Sequence, residues 1–391
     1  MGRLIYLPLG LVILTMLGGV YTFSLFYGPL QKYYAIDDVA PFTLAFSLIT
    51  LTYSLFIIPS GILYDRFGPK LPLSLGTLVI FSGYLLASSM KNYEWETARL
   101  IYYISLGMLM GLGIAMVDAV PRPLVSKWFA DMPGTAIGVV AVGFGIGTAV
   151  MTPLILQFLA VTDVFTTFAM LGVIYLTVLL LCTAPMKDPP DSFRKNGSFN
   201  LSGILYDRRF HLLWLLFFLS SFSGLMVIGN AVPIIQEGAR YSSELKGVAG
   251  TFLIITSFAN AGGRFAWGVL LDRLGMAKAM KINFLTTSLS ALLLSNLFKT
   301  KLVFLLGSVI YANYGGVLAI FPASTSIFFG KKYAGRSYGA VFTAWGVSGL
   351  IAPFSGALLR DAVDSYLPAF YMASAISFIA FVLSFRLKNA D

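Results

Sequence analysis

The chain has 391 residues, of which 58% are hydrophobic and only 11% are charged, and it carries a net charge of +10. Soluble globular domains have about 25% charged residues, so this composition, with a mean hydropathy of +0.83, excludes an ordinary soluble protein and indicates one that lies in a lipid bilayer. A single cysteine and a single histidine cannot assemble a multi-cysteine metal site or a nucleophile with its base, so we expect no metal, no cofactor and no enzyme activity.

Twelve apolar runs are long enough to cross a bilayer, since a spanning helix needs roughly 20 apolar residues. Six fall in each half of the chain. We predict an all-α membrane protein with an N-terminal six-helix bundle over residues 1–185, a cytoplasmic linker over 186–209 and a C-terminal six-helix bundle over 210–391. The predicted spans are residues 4–31, 42–63, 71–90, 98–124, 135–159, 164–185, 210–235, 247–270, 279–298, 302–328, 338–359 and 367–385.

Sidedness explains the net positive charge better than nucleic-acid binding does. With the N-terminus placed inside, 17 of the 27 lysines and arginines fall on the cytoplasmic side, eight fall outside, and Arg122 and Arg264 lie within apolar runs. This is the positive-inside bias of membrane proteins. It predicts a multi-pass protein of the cell membrane with both termini in the cytoplasm and no nucleic-acid partner.

Span 1 is too long for a secretory signal, whose apolar region has about 7 to 15 residues, and we interpret it as a retained helix. It contains the string GGVYTFSLFYGPL. The glycines permit close helix approach, and Tyr21 offers a hydroxyl inside the bundle. Tyr21 is therefore a candidate substrate contact, with packing alone as the equal alternative.

Spans 2 and 8 end in the same string, G-x-x-x-D-R-x-G. The two copies lie 207 residues apart and consist of Gly61, Asp65, Arg66 and Gly68, and of Gly268, Asp272, Arg273 and Gly275. Such repetition indicates two homologous halves. The glycines allow a tight cytoplasmic turn, and the aspartate can accept hydrogen bonds from helix amides or from arginine. We expect both strings to gate a conformational change.

Span 4 places an acid and a base one helical turn apart in apolar surroundings. Asp118 and Arg122 face the same side of the helix, and Asp118 lies about 13.5 Å from the cytoplasmic end, counted from Lys127 at 1.5 Å per residue. Ionisable groups inside a membrane are by default functional candidates. We predict that Asp118 carries a coupling proton and that Arg122 tunes it; the alternative is a mutually satisfied pair that braces a helix bent by prolines.

Span 8 contains the second intramembrane arginine, Arg264. It lies about 12 Å from Asp272 at the cytoplasmic edge, and Ile57 occupies its place in the first copy. An arginine at this depth costs about 2.5 to 3.5 kcal/mol on insertion scales, so bidentate contact with a bound carboxylate is a reason to keep it. The alternative is a structural arginine bonded to helix carbonyls. Trp345 in span 11, at a similar depth, is predicted to face a cavity or the bundle core. We take Trp345 and Asn260 as further candidate substrate contacts.

Six strings taken together carry a resemblance that covers nearly the whole chain. They are GGVYTFSLFYGPL, SGILYDRFGPK, VSKWF, GFGIGTAVMTPL, NAGGRFAWGVLLDRLG and YGAVFTAWGVSG. The chain resembles the major facilitator superfamily, and more narrowly its oxalate/formate antiporter family. The resemblance implies twelve helices in two pseudo-symmetric bundles, alternating access and a central site for small carboxylates. It also implies that Arg264 binds the substrate carboxylate, because it matches the arginine of N-x-x-x-R, in which Asn260 is the asparagine.

Two positions depart from better-known members of the resembled family. The oxalate exchanger has a lysine in the span 11 string where this chain has Trp345, which disfavours divalent oxalate. Monocarboxylate-type members tend to have a tyrosine nine residues before the lysine of KWF, where this chain has Asp118. We therefore predict a secondary transporter of small monocarboxylates such as lactate, formate or acetate, with proton coupling as an open alternative to exchange.

Other functions remain as alternatives. An oxalate/formate-type exchanger and a non-transporting membrane sensor share the expected fold, whereas efflux of cationic drugs is disfavoured because Arg264 repels cations. The expected partners are a small carboxylate anion, protons and the lipid bilayer. We expect the protein to work as a monomer.

Overall fold

A computed structural model describes residues 2–190, 205–330 and 334–387, with side chains placed again from residue 337. Most of the linker predicted at 186–209 lies outside these described residues. The α-helices, numbered in chain order, are α1 Tyr6–Gly18, α2 Tyr27–Tyr34, α3 Ala40–Phe67, α4 Lys70–Ser88, α5 Trp95–Tyr102, α6 Met110–Asp118, α7 Pro121–Trp128, α8 Pro133–Val161, α9 Val164–Thr183, α10 Arg208–Gly229, α11 Ala231–Tyr241, α12 Ala249–Leu274, α13 Met276–Leu297, α14 Leu302–Phe329, α15 Ala334–Val363 and α16 Leu367–Leu383.

All twelve predicted spans coincide with helical segments, and the described residues include no strand. Ten of these segments are long and apolar enough to cross a membrane by length and composition alone. The other two are α12, which carries Arg264 and ends in the charged repeat string, and α13. The prediction of an all-α, twelve-span membrane protein is confirmed, and most of its spans extend beyond the predicted bounds at one or both ends.

The chain divides into two compact units, each built around one half of the sequence. Unit 1 comprises Met1–Asp37 and Leu44–Gly197, and unit 2 comprises Asp38–Thr43 and Ser198–Asp391. The start of α3 thus groups with unit 2 and its remainder with unit 1. Each unit holds six of the predicted spans.

Several spans are interrupted rather than continuous. Span 1 passes through a 3-10 helix, Gly19–Phe26, between α1 and α2, and span 4 through a π-helical segment, Tyr103–Leu109, between α5 and α6. Span 7 breaks at Asn230, whose backbone leaves the helical region. Irregular turns of this kind inside helices often mark functional segments.

Glycines bring helix backbones into direct contact in both units. A Cβ at Gly18 of α1 would collide with the Phe144 carbonyl of α8. In unit 2, a Cβ at Gly263 of α12 would collide with the Ala312 carbonyl of α14, and one at Gly315 of α14 with the Asn260 carbonyl of α12. Small residues drive this close packing where both helices are surrounded by lipid.

Candidate functional site

The intramembrane arginine of unit 2 is held by the asparagine one helical turn before it. Arg264 Nε donates to Asn260 Oδ1 at 3.2 Å. Asn260 is 1% exposed, and Arg264 is half-buried. Because an arginine can only donate, this bond fixes the orientation of the Asn260 amide: its oxygen faces Arg264 and its buried Nδ2 has no hydrogen-bond acceptor. The pair thus presents donors only, which is the chemistry that a carboxylate requires.

The backbone beneath this pair is fixed by α14. A Cβ at Gly315 would lie 3.2 Å from the Arg264 amide nitrogen, in addition to its collision with the Asn260 carbonyl. At the neighbouring Gly316, a Cβ would overlap the Trp267 indole. Trp267 Nε1 in turn donates to Asn313 Oδ1 at 3.1 Å. The two donors are therefore carried by a rigid helix pair, as a precise binding site needs.

Trp345 is buried against α14. Its Nε1 donates to the Tyr314 hydroxyl at 2.8 Å, and its ring stacks on Phe342 with centroids 4.8 Å apart. It is 3% exposed. Because Tyr314 directly precedes Gly315, the indole is linked through α14 to the helix segment that carries Asn260 and Arg264. Within unit 2, Trp345 is thus packed inside the helix bundle, and its contact with substrate stays a prediction.

The charged pair of unit 1 is satisfied internally. Arg122 Nη1 donates to both carboxylate oxygens of Asp118 at 2.7 Å, and the Tyr53 hydroxyl donates to Asp118 Oδ2 at 2.7 Å. The Asp118 side chain is 4% exposed and the Arg122 side chain 29%. α6 ends at Asp118 and α7 begins at Pro121, so the ion pair spans the bend in span 4. An ionised Asp118 that only braced the bend in span 4 would make the same contacts with Arg122.

Tyr21, the remaining predicted substrate contact, lies in the 3-10 segment of span 1. It is 3% exposed, and its ring meets the edge of Phe144 on α8 at 5.6 Å between centroids. The structure thus brings together Asp118 with Arg122 in unit 1 and Asn260 with Arg264 in unit 2.

The two gating strings end their helices in the same way. Gly68 has a φ of +80° and Gly275 a φ of +78°, values that favour glycine because other residues are strained there. Gly61 and Gly268, by contrast, are helical and have no atom within 4 Å of a built Cβ. Asp65, Arg66, Asp272 and Arg273 are exposed. Their role in gating stays a prediction.

Three candidate functional residues were not predicted from the sequence. Tyr53 and Tyr314 became visible only through their bonds to Asp118 and Trp345, across 65 and 31 residues of sequence. Glu237, which lies two residues beyond the predicted end of span 7, is 2% exposed. Its carboxylate accepts from the Ser365 hydroxyl and the Tyr366 amide. No sequence pattern pairs these residues; Glu237 alone could have been noticed as an acid on the apolar face of a continued helix.

Metal chemistry finds no support among the described residues, where no three His, Cys, Asp or Glu side chains are grouped to hold an ion. Each unit holds six of the predicted spans and has ionisable side chains inside its helical core, which is the arrangement of a multi-pass membrane protein with a polar interior. The chain belongs to the Major Facilitator Superfamily, whose sequence model matches residues 9–353. It is accordingly a transporter and not an enzyme.

Comparison with known proteins places this chain near carboxylate carriers. It is 28% identical to the oxalate:formate antiporter of Oxalobacter formigenes, with 98% of this chain and 90% of the relative covered. It is 22% identical to monocarboxylate transporter 12-B of Danio rerio, with 77% and 70% covered. Among solved structures, the nucleoside transporter NupG superposes with a TM-score of 0.75 at 13% identity, over 97% of this chain and 99% of that one. The last comparison shows the fold alone.

Proposed function

We propose that this protein is a secondary active transporter of small monocarboxylates, such as lactate, formate or acetate, that works by alternating access. The observation that carries the proposal is the donor-only pair of Asn260 and Arg264, set on glycine-packed helices inside the membrane segment of unit 2. A planar guanidinium matches the two oxygens of a carboxylate. The amide Nδ2 of Asn260 supplies a further donor for the same anion.

Trp345 favours a single carboxylate over two. A dianion needs a second positive charge inside the membrane, because an uncompensated charge is costly there. Trp345 is instead a neutral, buried side chain whose only polar atom already binds Tyr314. The names of the relatives support both readings, since one is an oxalate:formate antiporter and the other a monocarboxylate transporter. Oxalate/formate exchange is therefore the second candidate.

Proton coupling is proposed for Asp118. The carboxylate is buried and bonded to Arg122 and Tyr53, so taking up a proton costs it the ion pair, and losing the proton restores it. Asp118 takes up a proton when the carboxylate anion binds to the arginine of unit 2. The anion and the proton enter together, so the loaded carrier has the same net charge as the empty one, and the release of both reverses the step.

Uptake into proteoliposomes tests the substrate class. We expect purified protein to take up labelled lactate, formate or acetate, and to take up oxalate poorly. Arg264→Lys keeps the charge but loses the planar fork, and we expect it to lower carboxylate affinity by roughly 10- to 100-fold, the equivalent of one or two charged hydrogen bonds. Arg240→Lys is the matched control: this exposed arginine of unit 2 binds Asp364 and should leave uptake unchanged. Full affinity in Arg264→Lys would disprove bidentate binding.

Orientation in the cell membrane is the remaining part of the proposal. The charge bias of the sequence places both termini and both gating strings, at Asp65 and Asp272, in the cytoplasm. Lys91 and Lys299 then lie outside. Reporter fusions at these two lysines check the topology, and a cytoplasmic signal from either would overturn it.

A further inference from the structure

The first membrane span changes its helical form in the middle. α1 ends at Gly18, the next eight residues, Gly19–Phe26, form a 3-10 helix, and α2 resumes at Tyr27. Runs of 3-10 helix longer than three or four residues are uncommon because their hydrogen-bond geometry is poorer than that of an α-helix. Side chains of unit 1 must therefore stabilise this one.

A tyrosine from span 6 binds the carbonyl at which the change begins. Tyr175 of α9, 4% exposed, donates its hydroxyl to the Met16 carbonyl at 2.6 Å. The same carbonyl accepts from the Gly19 amide, three residues further along. Both lone pairs of the Met16 carbonyl oxygen are thus used. This is the point at which the backbone hydrogen bonds change from the i+4 spacing of an α-helix to the i+3 spacing of a 3-10 helix. The ring of Tyr84 on α4 packs against the Tyr175 ring, with centroids 5.3 Å apart, so a second helix supports the contact.

Gly19 leaves the space that the Tyr175 hydroxyl needs. A Cβ at residue 19 would lie 2.6 Å from that oxygen and 2.8 Å from Met151 Cγ. The Thr22 hydroxyl donates to the Gly19 carbonyl at 2.7 Å, again across three residues. A cavity of about 20 Å³ borders Gly19, Thr22 and Tyr175, enough for one water molecule. The local sequence is therefore adapted to the 3-10 form.

The helical form decides where Tyr21 points. Each residue of a 3-10 helix turns by about 120°, against about 100° in an α-helix. Tyr21 is the third residue of the segment, so relaxation to an α-helix from Gly19 onward would turn it by about 60°. Its edge contact with Phe144 depends on the present direction.

We propose that Tyr175 is a positioning residue: its hydroxyl holds the Gly19–Phe26 segment in the 3-10 form and so sets the direction of Tyr21, the candidate substrate contact of unit 1. The proposal rests on the proposed function, because it takes Tyr21 as a substrate contact. Tyr175 itself does not touch substrate. It acts through the Met16 carbonyl and the backbone that follows.

Transport kinetics and amide exchange of the full-length protein test the proposal together. Tyr175→Phe removes only the hydroxyl, and we expect a KM for lactate about fivefold higher, as for the loss of one neutral hydrogen bond, at an unchanged maximal rate. Tyr21→Phe should raise KM similarly, and the double variant should be no worse than either single variant, since the two residues act in one pathway. Amides of residues 19–26 should exchange about fivefold faster in Tyr175→Phe.

Two further variants keep the result interpretable. Gly19→Ala displaces the same hydroxyl by a different route and should reproduce the faster exchange. Tyr366→Phe is the matched control, since it loses a buried hydroxyl bond to Asn230 in unit 2; KM and exchange at residues 19–26 should not change. Unchanged exchange in Tyr175→Phe, or additive KM effects with Tyr21→Phe, would overturn the proposal. If the wild-type protein takes up no carboxylate, the proposed function fails by itself, and the exchange measurement still decides whether Tyr175 holds the 3-10 form.

Discussion

Each unit has an arginine inside its helix bundle, but the charge of the residue that the arginine binds differs between the two units. In unit 1, Arg122 lies against Asp118, with both carboxylate oxygens at 2.7 Å, so the pair has no net charge. In unit 2, Arg264 lies against the neutral amide of Asn260, so that pair has a charge of +1. The two halves of the sequence thus share a repeated helical arrangement. The charges inside the two helix bundles are different.

This difference assigns complementary tasks. A buried carboxylate that accepts from an arginine and a tyrosine is a candidate for proton exchange, whereas a cation held by a neutral amide attracts an anion. Ile57 occupies the place in unit 1 that corresponds to Arg264, so the arginine is not repeated at that position. The predictions below test the contrast, from the largest expected effect to the smallest.

Replacement of Asp118 should have the largest effect. Asp118→Asn imitates the protonated acid permanently, so we expect it to abolish uphill uptake of carboxylate driven by a pH gradient while exchange of labelled for unlabelled substrate continues. The measurement is accumulation in proteoliposomes with and without an imposed gradient.

Asp131→Asn provides the control for that experiment. It breaks another Asp–Arg pair of unit 1, between Asp131 and Arg3, which is exposed; exposed pairs contribute little to stability, and uptake should be unchanged. Continued accumulation by Asp118→Asn would leave the pair with a bracing role only.

The closing glycines of the two repeat strings should behave alike, in contrast to the charged pairs. Gly68→Ala and Gly275→Ala each force alanine into a positive φ, which costs about 1 to 3 kcal/mol. Gly61→Ala and Gly268→Ala add a methyl group to a helix with no atom nearby and should be neutral or stabilising. Thermal midpoints in detergent measure all four, with losses of roughly 3 to 10 °C expected for the first two. A loss confined to one unit would show that the repeats are not equivalent.

The positions of the membrane spans were predicted well from the sequence, because they depend on the hydrophobicity of neighbouring residues. Hydrophobic run length located all twelve spans, and the repeat string located two helix ends where only glycine fits without strain. The interruptions were not predicted: the 3-10 segment in span 1 depends on Tyr175, which is 159 residues from Met16, and hydrophobicity has the same value for an α-helix and a 3-10 helix.

The candidate site residues were chosen by residue type, and only some of their partners could be predicted. Asp118 and Arg122 were paired correctly because a spacing of four residues places them on one helix face. Tyr53 and Tyr314 lie on other helices, and their approach is set by glycine contacts between backbones, which a single sequence does not encode as a pattern. Glu237 was missed because the predicted span stopped at residue 235, whereas α11 continues to Tyr241.

A moderate effect is expected at Trp345. Trp345→Phe removes the Nε1 donor to Tyr314 but keeps an aromatic ring to stack on Phe342. The loss of a neutral hydrogen bond, about 1 kcal/mol, corresponds to a roughly fivefold higher KM. Trp214→Phe is matched to it, because Trp214 Nε1 donates to the Thr343 hydroxyl at 2.9 Å in the same unit, and its KM should not change. Equal effects of the two variants would mean that Trp345 only stabilises the fold.

The smallest effect concerns the turns before the last helix of each unit. Asp163 does two things in unit 1: Oδ1 accepts from the Thr166 amide at the start of α9, and Oδ2 accepts from Lys91 at 2.8 Å. In unit 2 these roles are divided, because Asp364 accepts from Arg240 while Glu237 accepts from the Tyr366 amide next to α16. Replacing Asp163 should therefore lower the free energy of unfolding more than replacing Asp364 does.

Asp163→Ala should lower stability by about 1 kcal/mol, the cost of a lost helix cap, and Asp163→Asn by much less, because asparagine caps equally well. The bonds from Lys91 and from the Thr166 amide hold the pKa of Asp163 below its usual value. The stabilisation is therefore complete above the ordinary carboxyl pKa of about 3.9 and is lost only as the pH falls through the lower folded value, so melting midpoints at pH 5 and pH 8 should show the same difference between variants. Asp364→Ala should cost less than Asp163→Ala at either pH, and an equal cost would mean that Glu237 does not replace the missing cap.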